Sequence, residues 1–319
     1  MLSSGAFDYD IVVVGAGPAG LCASVFARAR SLRVAVLEAG QAGGQLVSLF
    51  PKKPLYNVPA LASTLAGDYA RSLIQQARAE GVEIHEGEPV QRLEASEMGV
   101  AAVSDQCSYR GRAIILATGM GKMEPRRLNV PGEAENAGGR LVYAVTDPQV
   151  FASQRVLVVG GGDSAVDNAL LLSETADQVI LAHRSSQLRA QATRLDMLPL
   201  DRVRVLTDVE VRCLRRQNDS LLAQVFHSPT GEEQTLEVDR VVVNVGLVPS
   251  PGPLTQWGLR LDGKLIAVDS QMKTNLPAVF ACGDAVSYPG KLKMVVTAIG
   301  EAATAVNTAF EYIKSGGAL

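Results

Sequence analysis

Two stretches of the chain repeat one pattern of apolar and polar positions, a short β-branched run followed at once by glycines. The first is Asp10-Ile11-Val12-Val13-Val14, leading into Gly15-Ala16-Gly17-Pro18-Ala19-Gly20. The second is Arg155-Val156-Leu157-Val158-Val159, leading into Gly160-Gly161-Gly162-Asp163-Ser164-Ala165. Unbroken apolar runs of this length predict strands buried on both faces of a parallel sheet, and the glycine turn predicts a strand-to-helix unit. The first helix is expected over about Leu21 to Arg30. Each unit is followed by another apolar strand, Val34-Ala35-Val36-Leu37 and Val179-Ile180-Leu181-Ala182. Two further buried strands break at glycines: Ala113-Ile114-Ile115-Leu116 before Ala117-Thr118-Gly119, and Val241-Val242-Val243-Asn244-Val245 before Gly246 and Pro249. Later, Thr274-Asn275-Leu276-Pro277-Ala278-Val279-Phe280-Ala281-Cys282-Gly283-Asp284 reads as an apolar strand ending in a small residue, glycine and acid, and Gly300-Glu301-Ala302-Ala303-Thr304-Ala305 opens a helix expected to reach about Ile313.

The glycine spacing carries chemistry. Gly15 permits a tight turn, Gly17 lets backbone approach a pyrophosphate, and Gly20 lets the helix pack on the strand. The phosphates belong at the helix amino terminus, where backbone N–H groups lack partners. Glu38 ends the following strand, eighteen residues beyond Gly20, where an acid accepts hydrogen bonds from ribose hydroxyls. The second unit has no carboxylate there and reads His183-Arg184, with Arg189 further along the same loop. An acid would repel a 2′-phosphate, whereas guanidinium groups pair with one, so Arg184 and Arg189 favour NADPH over NADH. The alternative is a pair of solvated surface arginines; His183 either stacks on the nucleotide or merely packs. The Asp284 carboxylate is placed to accept a polyol hydroxyl.

Composition narrows the class. At 319 residues with 47% hydrophobic, 20% charged and 30 glycine positions, the chain suits two α/β domains with substantial cores. A net charge of -3 gives no global attraction to nucleic acid or to an anionic membrane. Residues Met1 to Tyr9 lack signal-peptide character, and no run nears the roughly 18 apolar residues of a membrane span, so a cytoplasmic protein is expected. Cys22, Cys107, Cys213 and Cys282 are too far apart for metal-ligand or redox-motif spacing, and His85, His183 and His227 are equally scattered. No metal is expected.

The paired fingerprints, the Ala117-Thr118-Gly119 break and the Cys282-Gly283-Asp284 segment resemble the thioredoxin reductase-like flavoproteins over nearly the whole chain. The resemblance implies an α/β fold with two Rossmann-like, three-layer ββα dinucleotide-binding domains. The FAD domain is then discontinuous, over 1–118 and 247–319, the NADPH domain spans 119–246, and homodimers are usual. Two adjacent crossings between domains offer a hinge. Thioredoxin reductase carries a Cys-x-x-Cys pair just before the second fingerprint, where this chain reads Tyr143-Ala144-Val145-Thr146-Asp147-Pro148, which disfavours that activity.

A more specific resemblance is to the thioredoxin reductase-like ferredoxin–NADP reductases, through Gly43-Gly44-Gln45-Leu46, Phe50-Pro51, Tyr56-Asn57-Val58, Leu141-Val142-Tyr143 and Gly161-Gly162-Asp163-Ser164-Ala165-Val166-Asp167. It implies that Phe50 stacks on the isoalloxazine, the alternative being core filler. The FAD set becomes the first glycine segment, Glu38, Ala39, Gln45, Leu46, Asn57, Val90, Ala117, Thr118, Gly119, Met123, Gly283, Asp284, Ala303 and Thr304. The NADPH set becomes the second glycine segment with His183, Arg184, Arg189 and Gly246. The dipole of the helix expected from Gly300 would stabilise negative charge on a reduced flavin, unless it is an ordinary capped helix. Two departures stand out: the chain ends at Ser315-Gly316-Gly317-Ala318-Leu319, where many of these reductases extend with a second aromatic ring for the flavin, and Met123 replaces a frequent aromatic.

The reaction so implied is hydride transfer between NADPH and FAD, governed by ring stacking rather than by an acid or base, with onward transfer to ferredoxin or flavodoxin. Lys52-Lys53, Arg126-Arg127 and Lys291 with Lys293 are candidate docking cations for an acidic carrier, each alternatively a solvated surface charge. Competing readings are an NADPH-dependent reductase of a small disulfide or quinone, and a flavin-bearing sensor without turnover.

Overall fold

The computed structural model describes residues 7–55, 57–61, 64–96, 99–250 and 252–317; Tyr56, part of one motif above, lies outside them. Packing divides the chain into two compact units, Met1–Lys122 with Pro249–Leu319 and Met123–Val248. The strands at the two crossings pair with each other in a two-stranded ribbon.

In chain order the first segment runs β1 (Tyr9–Val14), α1 (Pro18–Arg28), β2 (Val34–Glu38), α2 (Gln45–Ser48), α3 (Ala66–Ala79), β3 (Glu83–Glu86), β4 (Arg92–Ser96), β5 (Gly99–Val103) and β6 (Ser108–Leu116). The crossing strand β7 (Lys122–Pro125) leads to α4 (Glu133–Asn136), β8 (Leu141–Val142), β9 (Arg155–Val159), α5 (Asp163–Ser173), β10 (Gln178–Ala182), α6 (Ala192–Leu195) and β11 (Val203–Leu206). Then come β12 (Val209–Gln217), β13 (Ser220–His227), β14 (Glu232–Val238), β15 (Arg240–Val243) and the returning β16 (Leu247–Ser250). The chain closes with β17 (Leu261–Asp262), β18 (Leu265–Ala267), β19 (Val279–Ala281), β20 (Val286–Ser287) and α7 (Val295–Lys314).

In the first unit the sheet order is β3-β2-β1-β6-β5-β4. Strands β3, β2, β1 and β6 run parallel, while β6, β5 and β4 form an antiparallel meander. Beside β6 lie β5 along its first half and β19, parallel, along its second half. The residues Ile11 to Val14 are buried, as the unbroken apolar run predicts, and pack with α1 and α7 in one core. Helix α1 starts at Pro18 rather than Leu21, since proline suits the first helical position. Helix α7 starts at Val295 rather than Gly300, because packing of Val295 against the cluster of Leu55, Val58 and Ala66 outweighs the modest helix propensity of a β-branched start.

The second unit has a parallel sheet, β11-β10-β9-β15-β8, and a separate antiparallel meander, β12-β13-β14. Period-2 geometry splits its core: Val156 and Val158 face the helix side with Ala165, Val166 and Leu172, whereas Leu157 and Val159 face the meander with Leu214, Leu221 and Val225. Both folds are therefore α/β Rossmann-like units, each with a crossover helix between its first parallel strands.

An ion pair anchors the start of β9. The Arg155 guanidinium donates to Asp239 Oδ1 at 2.8 Å and to Glu237 at 3.1 Å, and the Arg155 backbone N–H donates to Asp239 Oδ2 at 2.8 Å. Hydrogen bonding to the Arg155 side chain is the main cause that holds the Asp239 carboxyl below its ordinary 3.8. A depressed carboxylate contributes stability above 3.8 that is lost as pH falls through the lowered folded value. Asp239→Asn should therefore cost roughly 1–3 kcal/mol near neutral pH and shrink the further loss on acidification, as read by urea unfolding at the two pH values.

Candidate functional site

The carboxyl ends of β1 and β6 meet at the first glycine segment. Gly15 has φ +104°, and a side chain there would run into the carbonyl oxygen of Ala117; one on Gly20 would strike the carbonyl oxygen of Gly15. Above Gly17, in contrast, nothing lies within 4 Å of where a side chain would begin. Gly17 caps α1 in an extended conformation, ψ −178°, and no side chain caps that end. The result is a helix terminus with unsatisfied N–H groups facing open space, which suits a diphosphate.

Other segments close around this turn. Glu38 accepts from the Ala16 N–H at 2.8 Å with one oxygen and from the Gly40 N–H at 2.9 Å with the other, each oxygen keeping a further lone pair. The Gly43 N–H donates to the Ala16 carbonyl at 2.8 Å, and Gly44 lies so near Gly17 that an added carbon would sit 2.9 Å from its Cα. Gln45 and Leu46 follow, partly exposed, and the Phe50 N–H returns to the Gln45 carbonyl at 3.1 Å. Phe50 is half-buried with the Lys53 ammonium 5.9 Å from its ring centre. Val90 is buried in the core of the first unit, and two residues before it the Glu88 N–H donates to the Glu38 carbonyl at 2.8 Å. The Ala117 N–H donates to Val14, and the Thr118 hydroxyl is buried without a partner, a polar atom left for a bound group. Gly283 packs on α1, where an added carbon would lie 2.7 Å from Ala19 Cβ. Burial raises the Asp284 carboxyl above the usual range, while the Lys291 and Lys293 charges pull it back.

The other expected residues have the following surroundings. Ala39 and Asn57 are exposed, Met123 lies on β7 in the second unit, and Gly119 has open space around it. Ala303 and Thr304 sit in the third turn of α7, and Thr304 is bonded to Gly300 within the helix. The helix dipole expected at Gly300 belongs instead to the turn at Val295, because α7 begins there.

Sequence reasoning missed a buried carboxylate beside Asp284. Glu301 receives the Gly283 N–H at 2.8 Å, the Tyr288 hydroxyl at 2.5 Å and the Lys291 ammonium at 2.5 Å. Side-chain exposure is only 7% for Lys291 and 4% for Glu301, so Lys291 is an internal ion-pair partner and not the docking cation expected of it. The available signal was a lone acid on the small-residue stripe Ala298, Ala302, Ala305 of α7.

The second unit repeats the turn. Gly160 has φ +149° against the Asn244 carbonyl, and Gly162 caps α5 with ψ −178° and open space above it. The Arg189 N–H donates to the Gly161 carbonyl at 2.6 Å and the Gln191 N–H to Asp163 at 2.9 Å, tying the loop after β10 to the fingerprint. Ser164 and Ala165 occupy the first turn of α5, partly exposed and buried respectively, and Gly246 is unobstructed. His183 packs: it is 4% exposed, with its ring directly against Gly161. Burial first, then the Arg189 charge, lowers its pKa, favouring the neutral ring. Arg184 and Arg189 are exposed, and neither guanidinium has a hydrogen-bond or ion-pair partner among the described residues.

The family model described as pyridine nucleotide-disulphide oxidoreductase matches residues 9–307. The chain is 40% identical over 309 residues to a ferredoxin–NADP reductase of Thermus thermophilus, covering 95% of this chain and 92% of that protein. It is 37% identical over 308 residues to one of Halalkalibacterium halodurans, covering 96% and 93%. Among solved structures, a thioredoxin reductase of Lactococcus lactis superposes with a TM-score of 0.83 at 27% identity, covering 97% of this chain and all of that one. A thioredoxin reductase of T. acidophilum superposes with a TM-score of 0.84 at 26% identity, covering 96% and 99%.

The two kinds of glycine separate by mutation. Gly17→Val should leave the far-UV circular dichroism intact while FAD retained on purification falls about tenfold or more, if the open space that its methyls fill is where a diphosphate binds. Gly20→Val should instead fail to give folded protein, since it collides with backbone.

Proposed function

The chain belongs to the pyridine nucleotide-disulphide oxidoreductase family, and on that premise we propose that it is an FAD-dependent oxidoreductase moving electrons between NADPH and ferredoxin or flavodoxin. The observation that carries this over thioredoxin-type relay through a protein dithiol is the placement of the thiols; reduction of a small disulfide or quinone needs no internal thiol pair and is separated by the assay below. Of the four cysteines only Cys213 lies within the inserted unit, on β12, so a dithiol relay there has no second member. Burial pushes the Cys22 thiol up to about 11 and raises Cys282 further still, and both are poor nucleophiles as a result. The two curated relatives described above carry the name ferredoxin–NADP reductase.

The residues divide the work. The N–H groups at the start of α1 and the gap over Gly17 take the FAD pyrophosphate, Glu38 the ribose hydroxyls and Asp284 a polyol hydroxyl, with Thr118 and Gln45 beside them and Phe50 against the ring. When bound, FAD supplies the acceptor for a hydride and a route by which electrons leave singly. The start of α5 takes the NADPH pyrophosphate, and Arg184 with Arg189 takes the 2′-phosphate. No proton donor is needed for hydride transfer, so these groups act by orientation. Lys52, Lys53, Arg126, Arg127 and Lys293 remain as cations for an acidic carrier. The reading includes a homodimer working in the cytoplasm, on the strength of the family likeness.

Anaerobic reduction with NADPH, followed by separate challenges with ferredoxin, flavodoxin, thioredoxin and a low-molecular-weight disulfide, tests the proposal. Reoxidation by ferredoxin or flavodoxin is the expected result, and turnover with thioredoxin or the small disulfide alone would sink it. Arg184→Ala and Arg189→Ala should each lower kcat/KM for NADPH roughly tenfold, by loss of a charge-assisted bond, while leaving NADH unchanged. An unaltered NADPH to NADH ratio would remove that assignment.

A further inference from the structure

Helix α7 buries a single stripe, Ala298, Ala302, Ala305, Val306, Ala309 and Ile313, and Glu301 falls on it. A carboxylate there is costly unless its charge is matched and its oxygens are bonded. Three donors converge on it: the Lys291 ammonium and Tyr288 hydroxyl on Oε1 and the Gly283 N–H on Oε2. The last of these opens the short 3-10 turn Gly283–Ala285 that follows β19. Gly283 is thus held between Ala19 of α1, which leaves no room for a side chain, and Glu301 of α7. The next residue along is Asp284.

We propose that Glu301 is a positioning residue of the FAD site, which fixes through the Gly283 N–H the turn that presents Asp284. The inference rests on the reading of Asp284 as an FAD contact. Lys291 pairs with Glu301 inside the core, and the Tyr288 hydroxyl donates to the same carboxylate oxygen, which ties the loop that carries Lys291 to the helix. Exchange of the carboxylate for an amide puts an NH2 either on the Gly283 side or on the side shared by Lys291 and Tyr288, so either the Gly283 N–H or the Lys291 ammonium is left as a donor facing a donor. The turn then loses its anchor or the lysine loses its partner.

The test is the equilibrium dissociation constant for FAD, read from the fluorescence of FAD released from the holoprotein on dilution. Glu301→Gln should weaken FAD binding about tenfold, the loss expected of a charge-assisted buried bond. In an Asp284→Ala background the same exchange should cost less than about twofold, because residues acting as one unit are not additive. Equal losses in the two backgrounds, or an unchanged constant for Glu301→Gln, overturn the proposal. The paired exchange Glu301→Leu with Lys291→Met removes both charges and should recover the melting temperature while FAD stays weakly held. Recovery of FAD affinity together with stability would reduce Glu301 to a folding role and overturn the inference. Wild-type FAD affinity in Asp284→Ala removes the Asp284 assignment and this inference with it, whereas a wild-type protein that binds no FAD overturns the cofactor reading itself.

Discussion

The backbone contact between Gly15 and Ala117 is the constraint on which the first unit depends. Strands β1 and β6 are parallel neighbours in register, Val14 beside Leu116, so the next residue of each must leave the sheet side by side. A side chain on Gly15 would hold the two strand ends apart. With none there, α1 turns back at once and its first turn comes down on the Gly15 carbonyl, which in turn requires Gly20. The helix terminus is then aimed at the space over Gly17 and the Glu38 carboxylate reaches the Ala16 N–H. Helix packing, the open space over Gly17 and the placing of the Glu38 carboxylate are thus consequences of two missing side chains.

The second unit uses the same contact with different neighbours. Val159 pairs with Val243, so Gly160 meets Asn244 as Gly15 meets Ala117. The divergence lies one strand over. Glu38 ends β2, whereas His183 follows β10, fills the space against Gly161 and is pushed toward the neutral form by burial and by Arg189. A carboxylate at His183 would cancel part of the positive field of Arg184 and Arg189, and a charged imidazole would be buried against it. A neutral ring supports the loop and adds no charge beside the two exposed guanidinium groups.

Much of this was legible because it is local. Strand ends, glycine spacing, Glu38 and the two arginines lie within βαβ units, where backbone sterics confine each residue type to a few roles. The remainder depended on long-range packing. Val295, Val296 and Thr297 look like an extended approach to a helix, and only the apolar cluster around Leu55 and Val58 makes them its first turn. Lys291, flanked by Gly290 and Leu292, has the appearance of a solvated loop lysine; nothing nearby in sequence announces Glu301 as its partner. Alternate burial of Leu221, Ala223 and Val225 predicts a strand, but periodicity alone does not say that β12, β13 and β14 form a meander over one face of the second sheet.

Cys282 shows how the same packing bears on the electron chemistry. It immediately precedes Gly283 at the end of β19, within the cluster proposed to hold the cofactor, and it is fully buried. Burial raises its pKa first and the Glu301 charge adds to that, while Lys291 opposes them; the net direction is upward. The thiol therefore stays protonated, and a protonated thiol neither attacks a disulfide nor donates as a thiolate. A cysteine beside a redox cofactor is ordinarily the first candidate for a covalent relay, but here the Glu301 carboxylate that anchors the turn also suppresses ionisation of the adjoining thiol. With its thiol held protonated, Cys282 offers no thiolate for a covalent relay, in keeping with the proposed transfer to a separate carrier.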